Sequence, residues 1–140
     1  MTASGLIDLF KTQLATVAGW TIVGAPADDF GDHQIDMRIG NVDVGGFVYG
    51  GVQHMETLGI RMCVGIGSDP QTSYRTLLDQ RDLVTKAVLD GGFVVSLTNN
   101  GVNLFPQSQH PSWTDPQAVD SAASVGMWMS ELSIPLERSL

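Results

Sequence analysis

The stretch from Met55 to Gly92 constrains the fold more than any other. Leu58, Ile60, Met62, Val64 and Ile66 alternate with Thr57, Gly59, Arg61, Cys63 and Gly65. That period-two pattern predicts a long strand with one buried face, ending at Gly67. Ser68, Asp69 and Pro70 then supply a helix start, with a side-chain oxygen for orphan amides and a proline suited to the first turn. From there to Asp90 the chain reads as helix. Tyr74, Leu77, Leu78, Val84, Ala87 and Val88 form one apolar stripe, while Arg75, Asp79, Asp82 and Lys86 face water. Gly91 and Gly92 are read as its end.

The remaining elements fall around this pair. A first helix is expected from Ser4 to about Ala18, with Leu6, Phe10, Leu14 and Val17 on one side and Gly19 as a stop. Trp20 to Ala25 is a short extended run, and Pro26 to Gly31 a polar turn. Ile35, Met37 and Ile39 alternate with Asp36 and Arg38, giving a short second strand. Between Asn41 and Gln53, Gly45, Gly46, Gly50 and Gly51 surround Phe47, Val48 and Tyr49. A strand there is weakly specified, and two readings stay open: a hairpin arm that orders against a neighbour, or a bulged strand within the sheet. Phe93 to Thr98 reads as a strand, Asn100-Gly101 as a type I′ turn, and Val102 to Phe105 as the returning strand. Pro106 to Val125 is an excursion whose Trp113 must dock somewhere, with a candidate helical turn after Asp115-Pro116. A last strand, Trp128 to Ile134, is limited by Pro135. The sum is an α+β domain, residues 1–140: a mainly antiparallel, twisted sheet with two helices packed on one face.

Composition narrows the function classes. The net charge is −8 and the isoelectric point about 4.4, which disfavours nonspecific attraction to nucleic-acid phosphates. Charged residues make up 16% of the chain and hydrophobic ones 43%. So few charges leave a monomer's surface thinly covered, a hint that other subunits hide part of it. The single cysteine, Cys63, sits mid-strand and is read as a buried, inert thiol. No apolar run reaches the length of a membrane span, and the first twenty residues lack a signal-peptide pattern, so a soluble, cytosol-made protein is expected.

Candidate chemistry is sparse. Gly65-Ile66-Gly67 lies between strand and helix, where a dinucleotide loop would sit, but Pro70 stands in place of the third glycine. Asp28, Asp29, Asp32, His33 and Asp36 offer carboxylates to a hard cation, yet their spacing matches no EF-hand loop. His33, His54 and His110 form no zinc pattern. His54 and Glu56 share a strand face and are a candidate acid–base pair, with nothing else converging on them. There is no GxSxG elbow. The expectation is therefore no enzyme, no cofactor and no metal. A small nucleotide- or metal-binding α+β domain using the Gly65 to Pro70 turn is the alternative from a different class.

The order of elements resembles the tail terminator (tail completion) proteins of long-tailed bacteriophages. The likeness rests on Leu6 to Leu14 with Gly19-Trp20, on Leu58-Gly-Ile-Arg-Met-Cys-Val-Gly-Ile66, and on Tyr74-Arg-Thr-Leu-Leu with Leu83-Val84 and Ala87-Val88-Leu89. The ending Glu131-Leu-Ser-Ile-Pro135 completes it. It covers nearly the whole chain as a likeness of pattern, with no catalytic signature. The resemblance implies a virion protein at the head–tail junction, assembled in the host cytoplasm. Its partners would be itself as a homo-hexameric ring, the tail tube protein and a head-completion or connector protein. The ring would end tube polymerisation and provide the tail side of the head–tail joint, with DNA passing through without specific binding and no membrane involved. Phe47, Val48, Tyr49 and Trp113 are the candidate subunit-interface residues. Another head–tail connector or a tail tube subunit is the nearest alternative.

Overall fold

The computed structural model describes residues 1–17, 19–27, 31–45, 51–120 and 126–140. Three strands carry the architecture. β2 (Gln34–Gly45) pairs antiparallel with β3 (Gln53–Gly65), and β3 pairs antiparallel with β7 (Met127–Ser139) along its full length. β1 (Thr21–Val23) lies parallel to the start of β2. Along the other side of β7 run three short antiparallel strands, β4 (Val102–Leu104), β5 (Ser112–Trp113) and β6 (Gln117–Val119). The fold is α+β, and its sheet is mostly antiparallel.

The expected alternation holds in β3: Leu58, Ile60, Met62 and Val64 are buried. They lie opposite Ile134, Leu132, Ser130 and Trp128 of β7, and β2 adds Ile35 and Met37. Three helices cover this face, one more than expected. α1 (Ala3–Leu14) inserts Leu6, Phe10 and Leu14, and α2 (Pro70–Val88) inserts Leu77, Val84 and Val88. α3 (Gly91–Asn99) adds Phe93 and Leu97. All of these side chains belong to one core, in which Phe10 and Phe93 meet edge to face at 5.0 Å, a favoured aromatic geometry.

α3 overturns the strand expected at Phe93 to Thr98. Phe93 and Leu97 are buried while Val95 is 58% exposed, a four-residue period that a strand would not show. The Asp90 carboxylate accepts the Phe93 amide at 3.1 Å, so Gly91-Gly92 opens a capped helix. α2 itself ends at Val88. Asn100-Gly101 is accordingly no type I′ turn. Asn100 has φ −97° and donates its amide back to Leu97, and only Gly101 is left-handed, at φ 79°. The returning strand pairs with β7 instead.

Pro135 does not limit the last strand, which continues to Ser139. The Phe105 amide donates to the Pro135 carbonyl at 2.9 Å, so residue 135 presents its backbone away from β3. Its missing N–H falls in the gap between β4 and β5, where no ladder bond is lost. β2 is longer than expected and β3 begins at Gln53, so the glycine-rich region contributes to both. Phe47, Val48 and Tyr49 lie outside the described residues. The excursion after Phe105 holds a short 3-10 turn at Pro106–Ser108, and strand β6 stands where a helical turn was expected after Pro116.

One buried polar side chain lacks a partner. Gln80 is 7% exposed, and its Nε2 has no hydrogen-bond partner among the described residues. A buried amide donor left unmet costs about 1–3 kcal/mol. Gln80→Leu is therefore expected to leave thermal stability unchanged or raise it, by up to about 2 kcal/mol. A fall in the midpoint of thermal unfolding would show that the amide has a partner.

Candidate functional site

The strands contain three basic residues besides His54, one on each long strand: Arg38 in β2, Arg61 in β3 and Arg138 in β7. Each bonds a carboxylate on a different long strand. Arg61 donates to Asp36 of β2, with Nε 3.0 Å from Oδ1, and also to the Ala27 carbonyl at 2.8 Å. Arg38 reaches Glu131 of β7 at 2.8 Å. Arg138 grips Glu56 of β3 through two bonds of 2.6 and 3.2 Å. The three pairs link β2 to β3, β2 to β7 and β3 to β7.

Two pairs lie on the face away from the helices. Arg38–Glu131 spans the intervening strand by passing over Gly59. A Cβ there would stand 3.1 Å from Glu131 Oε1 and 3.3 Å from Arg38 Cγ, so the glycine inside the long strand is a crossing point. Beside it runs a trough of about 300 Å³ whose lining includes Gly40, Thr57 and Ser133. The third pair is inside the core. The Arg138 and Glu56 side chains are 4% and 1% exposed. The remaining guanidinium bonds go to the Met1 carbonyl at 3.0 Å and to His54 Nδ1 at 3.2 Å.

His54 and Glu56 thus do come together, but through Arg138. The Glu56 carboxylate takes two bonds from the Arg138 guanidinium and its side chain is 1% exposed. Of the acidic group, Asp28 and Asp29 lie outside the described residues, and Asp36 is held by Arg61. Burial works against ionising Asp32. The Gly65 amide, bonded at 2.7 Å, and the adjacent His33 nevertheless hold its carboxyl below the usual range. Among the described residues no group of three His, Cys, Asp or Glu is placed to hold a metal ion. His33 meets Trp20 edge to face, with ring centroids 5.1 Å apart.

The turn after β3 has no βαβ context, because β3 is antiparallel to both neighbours. The Asp69 side chain caps α2, accepting from the Thr72 hydroxyl at 2.7 Å and the Thr72 amide at 3.3 Å, and these bonds lower its pKa. A carboxylate already occupies the place a phosphate would take. Next to it Pro70, Gln71, Tyr74, Arg75 and Trp128 line a cleft of about 380 Å³, with Tyr74 and Trp128 edge to face at 5.4 Å.

Trp113 docks within its own chain. Its Nε1 donates to the Thr85 hydroxyl at 3.0 Å, and Arg81 lies over the ring at 5.1 Å, a cation–π distance. The outer edge of β2 beyond β1 has no strand beside it among the described residues. A bulge between Gly40 and Asp43 breaks that edge, with Asn41 left-handed at φ 54°. Val42 and Val44 stand 47% and 59% exposed there. Bulges of this kind blunt an edge against simple strand addition. Sequence reasoning missed the ion-pair circuit, whose local traces are Gly59 and the charges placed inside apolar alternations.

No protein-family model matches the chain, and no curated protein matches it.

Cys63 is the inert thiol expected: it is buried, and burial pushes its pKa up to about 11, only partly opposed by the Arg61 charge. A thiol with a raised native pKa keeps its proton when the unfolded chain has lost it. The associated stability is complete below the unfolded value near 9 and is lost as pH rises towards 11. Native protein at pH 8 is expected to resist alkylation that proceeds readily in denaturant. Equal rates in both states would contradict this burial.

Proposed function

We propose that the chain is a structural subunit of a long-tailed phage: a tail terminator that closes into a homo-hexameric ring, ends tube growth and offers the tail side of the head–tail joint. The observation that carries this reading is the outer edge of β2, where Val42 and Val44 are exposed, a few residues before Phe47, Val48 and Tyr49 in the sequence. Exposed apolar side chains on a strand edge suit a contact with a neighbouring copy. In a ring such contacts are heterologous and close on themselves.

Charge placement supports the same reading. With every strand arginine engaged, Asp43 and Glu137 leave the sheet with an excess of acid, and a like-charged wall does not retain passing DNA. Trp113 packs against α2, and the reading assigns it the support of the outer strands as well as a place near a subunit contact. The tube subunit and other connector readings share this geometry. A ligand-binding alternative draws on the cleft between Tyr74 and Trp128, and a thermal-shift screen with nucleotides and divalent metals tests it, since a bound ligand raises apparent stability.

Sedimentation of the purified protein, alone and with a tail tube protein, tests the ring. A species with the mass of six chains is expected in at least one of the two samples. Deleting Gly46 to Gly51 is expected to return it to single chains. A hexamer that survives the deletion would remove the arm from the interface, and single chains under both conditions would remove the ring.

A further inference from the structure

The apolar alternation fixes which face of each long strand is buried, but not how far β7 has slid along β3. A slip of one residue would turn every core side chain outward. A slip of two keeps each on its own face. With Glu131 opposite Cys63, Leu58, Ile60 and Met62 would meet Leu136, Ile134 and Leu132; with Met127 opposite Cys63, Leu58 would meet Leu132 and Met62 Trp128, while Ile60 would face Ser130, as Met62 does in the observed register. Apolar pairing alone separates these registers weakly, although they stand about 7 Å apart, two residues of strand rise.

We propose that the two ion pairs reaching β7 make that choice, each excluding one direction of slip. In the observed register Glu131 lies opposite Arg61, Arg138 opposite His54, and Cys63 opposite Met129. If β7 moved so that Glu131 faced Cys63, the Glu56–Arg138 pair would survive, with the two residues directly opposite. Glu131, however, would be carried a further two residues from Arg38, and the bridge over Gly59 would break. If β7 moved the other way, so that Met127 faced Cys63, Glu131 would come opposite Gly59, still within reach of Arg38. Arg138 would then be carried away from Glu56, leaving a carboxylate buried without its partner, which is strongly destabilising. One pair on the open face and one in the core therefore bracket a single register. The Asp36–Arg61 pair does the same work between β2 and β3. The device does not depend on the ring, although a hairpin tip displaced by two residues would present a different contact surface.

Cys63 reports the register directly. The Pro135 carbonyl points towards Phe105, so Thr57 and Pro135 form a non-hydrogen-bonded pair. Cys63 and Met129 share that parity, the closely spaced arrangement that accepts a disulfide. Four variants would be refolded under oxidising conditions and their free thiols counted by mass. In the parent background, Met129→Cys should close on Cys63 and Met127→Cys should stay open. Adding Glu56→Leu and Arg138→Met to Met127→Cys should turn most of the molecules into the closed form, since an apolar replacement of a buried pair removes the penalty on that slip without removing core volume. Glu131→Cys, which breaks the Arg38 bridge and reports at once, should close too. Free thiols in a folded Met127→Cys chain lacking the Glu56–Arg138 pair would overturn the proposal. So would free thiols in Glu131→Cys, or closure of Met127→Cys in the parent. Failure of the apolar double replacement to fold would also overturn it, by making the pair a requirement for folding rather than for register.

Discussion

The core pair of Glu56 and Arg138 is the constraint around which the rest of the molecule closes. It ties the middle strand to the last one near the end of the sheet where β3 begins. Through the Met1 carbonyl it also fixes the start of α1. Burying two charges is expensive, and a good ion pair offsets that cost without much net gain. The stability of the fold comes from the apolar layer between the three helices and the sheet, where Phe10, Leu77, Ile60, Ile134 and their neighbours are fully buried. The ion pair contributes geometry: a chain that misplaces either partner loses more than one that buries two apolar groups.

The same division between energy and geometry explains what could be read from the sequence. β3 and α2 were legible because each has a single unmixed period, two in one and close to 3.6 in the other, and because Asp69-Pro70 marks the junction. α3 was not. Phe93, Val94, Val95 and Leu97 have the composition of a strand, and only the four-residue spacing of Phe93 and Leu97 with the cap at Asp90 gives the helix away. Pro135 misled for a different reason. Its effect on a strand depends on which neighbour its missing donor faces, and that is a tertiary fact. The ion-pair circuit joins residues 25 to 93 positions apart, so no local pattern announces it. The glycine-punctuated region around Tyr49 was equally open between two readings, and Phe47, Val48 and Tyr49 fall outside the described residues.

A sheet whose arginines are each paired with one of its own carboxylates suits a part that works by contact. The sheet's open face is left acidic, its edge is blunted by the bulge at Asn41, and Val42 and Val44 stand exposed on that edge. In the proposed ring these features would have separate uses: repulsion of the passing duplex, protection from uncontrolled strand addition, and a patch for the next copy.

Negatively stained images of the protein mixed with tail tubes test this account most directly. It predicts single rings with an open centre seated on tube ends, with no further growth beyond them. Long cylinders built from the protein itself, or lone particles that ignore the tubes, would contradict it.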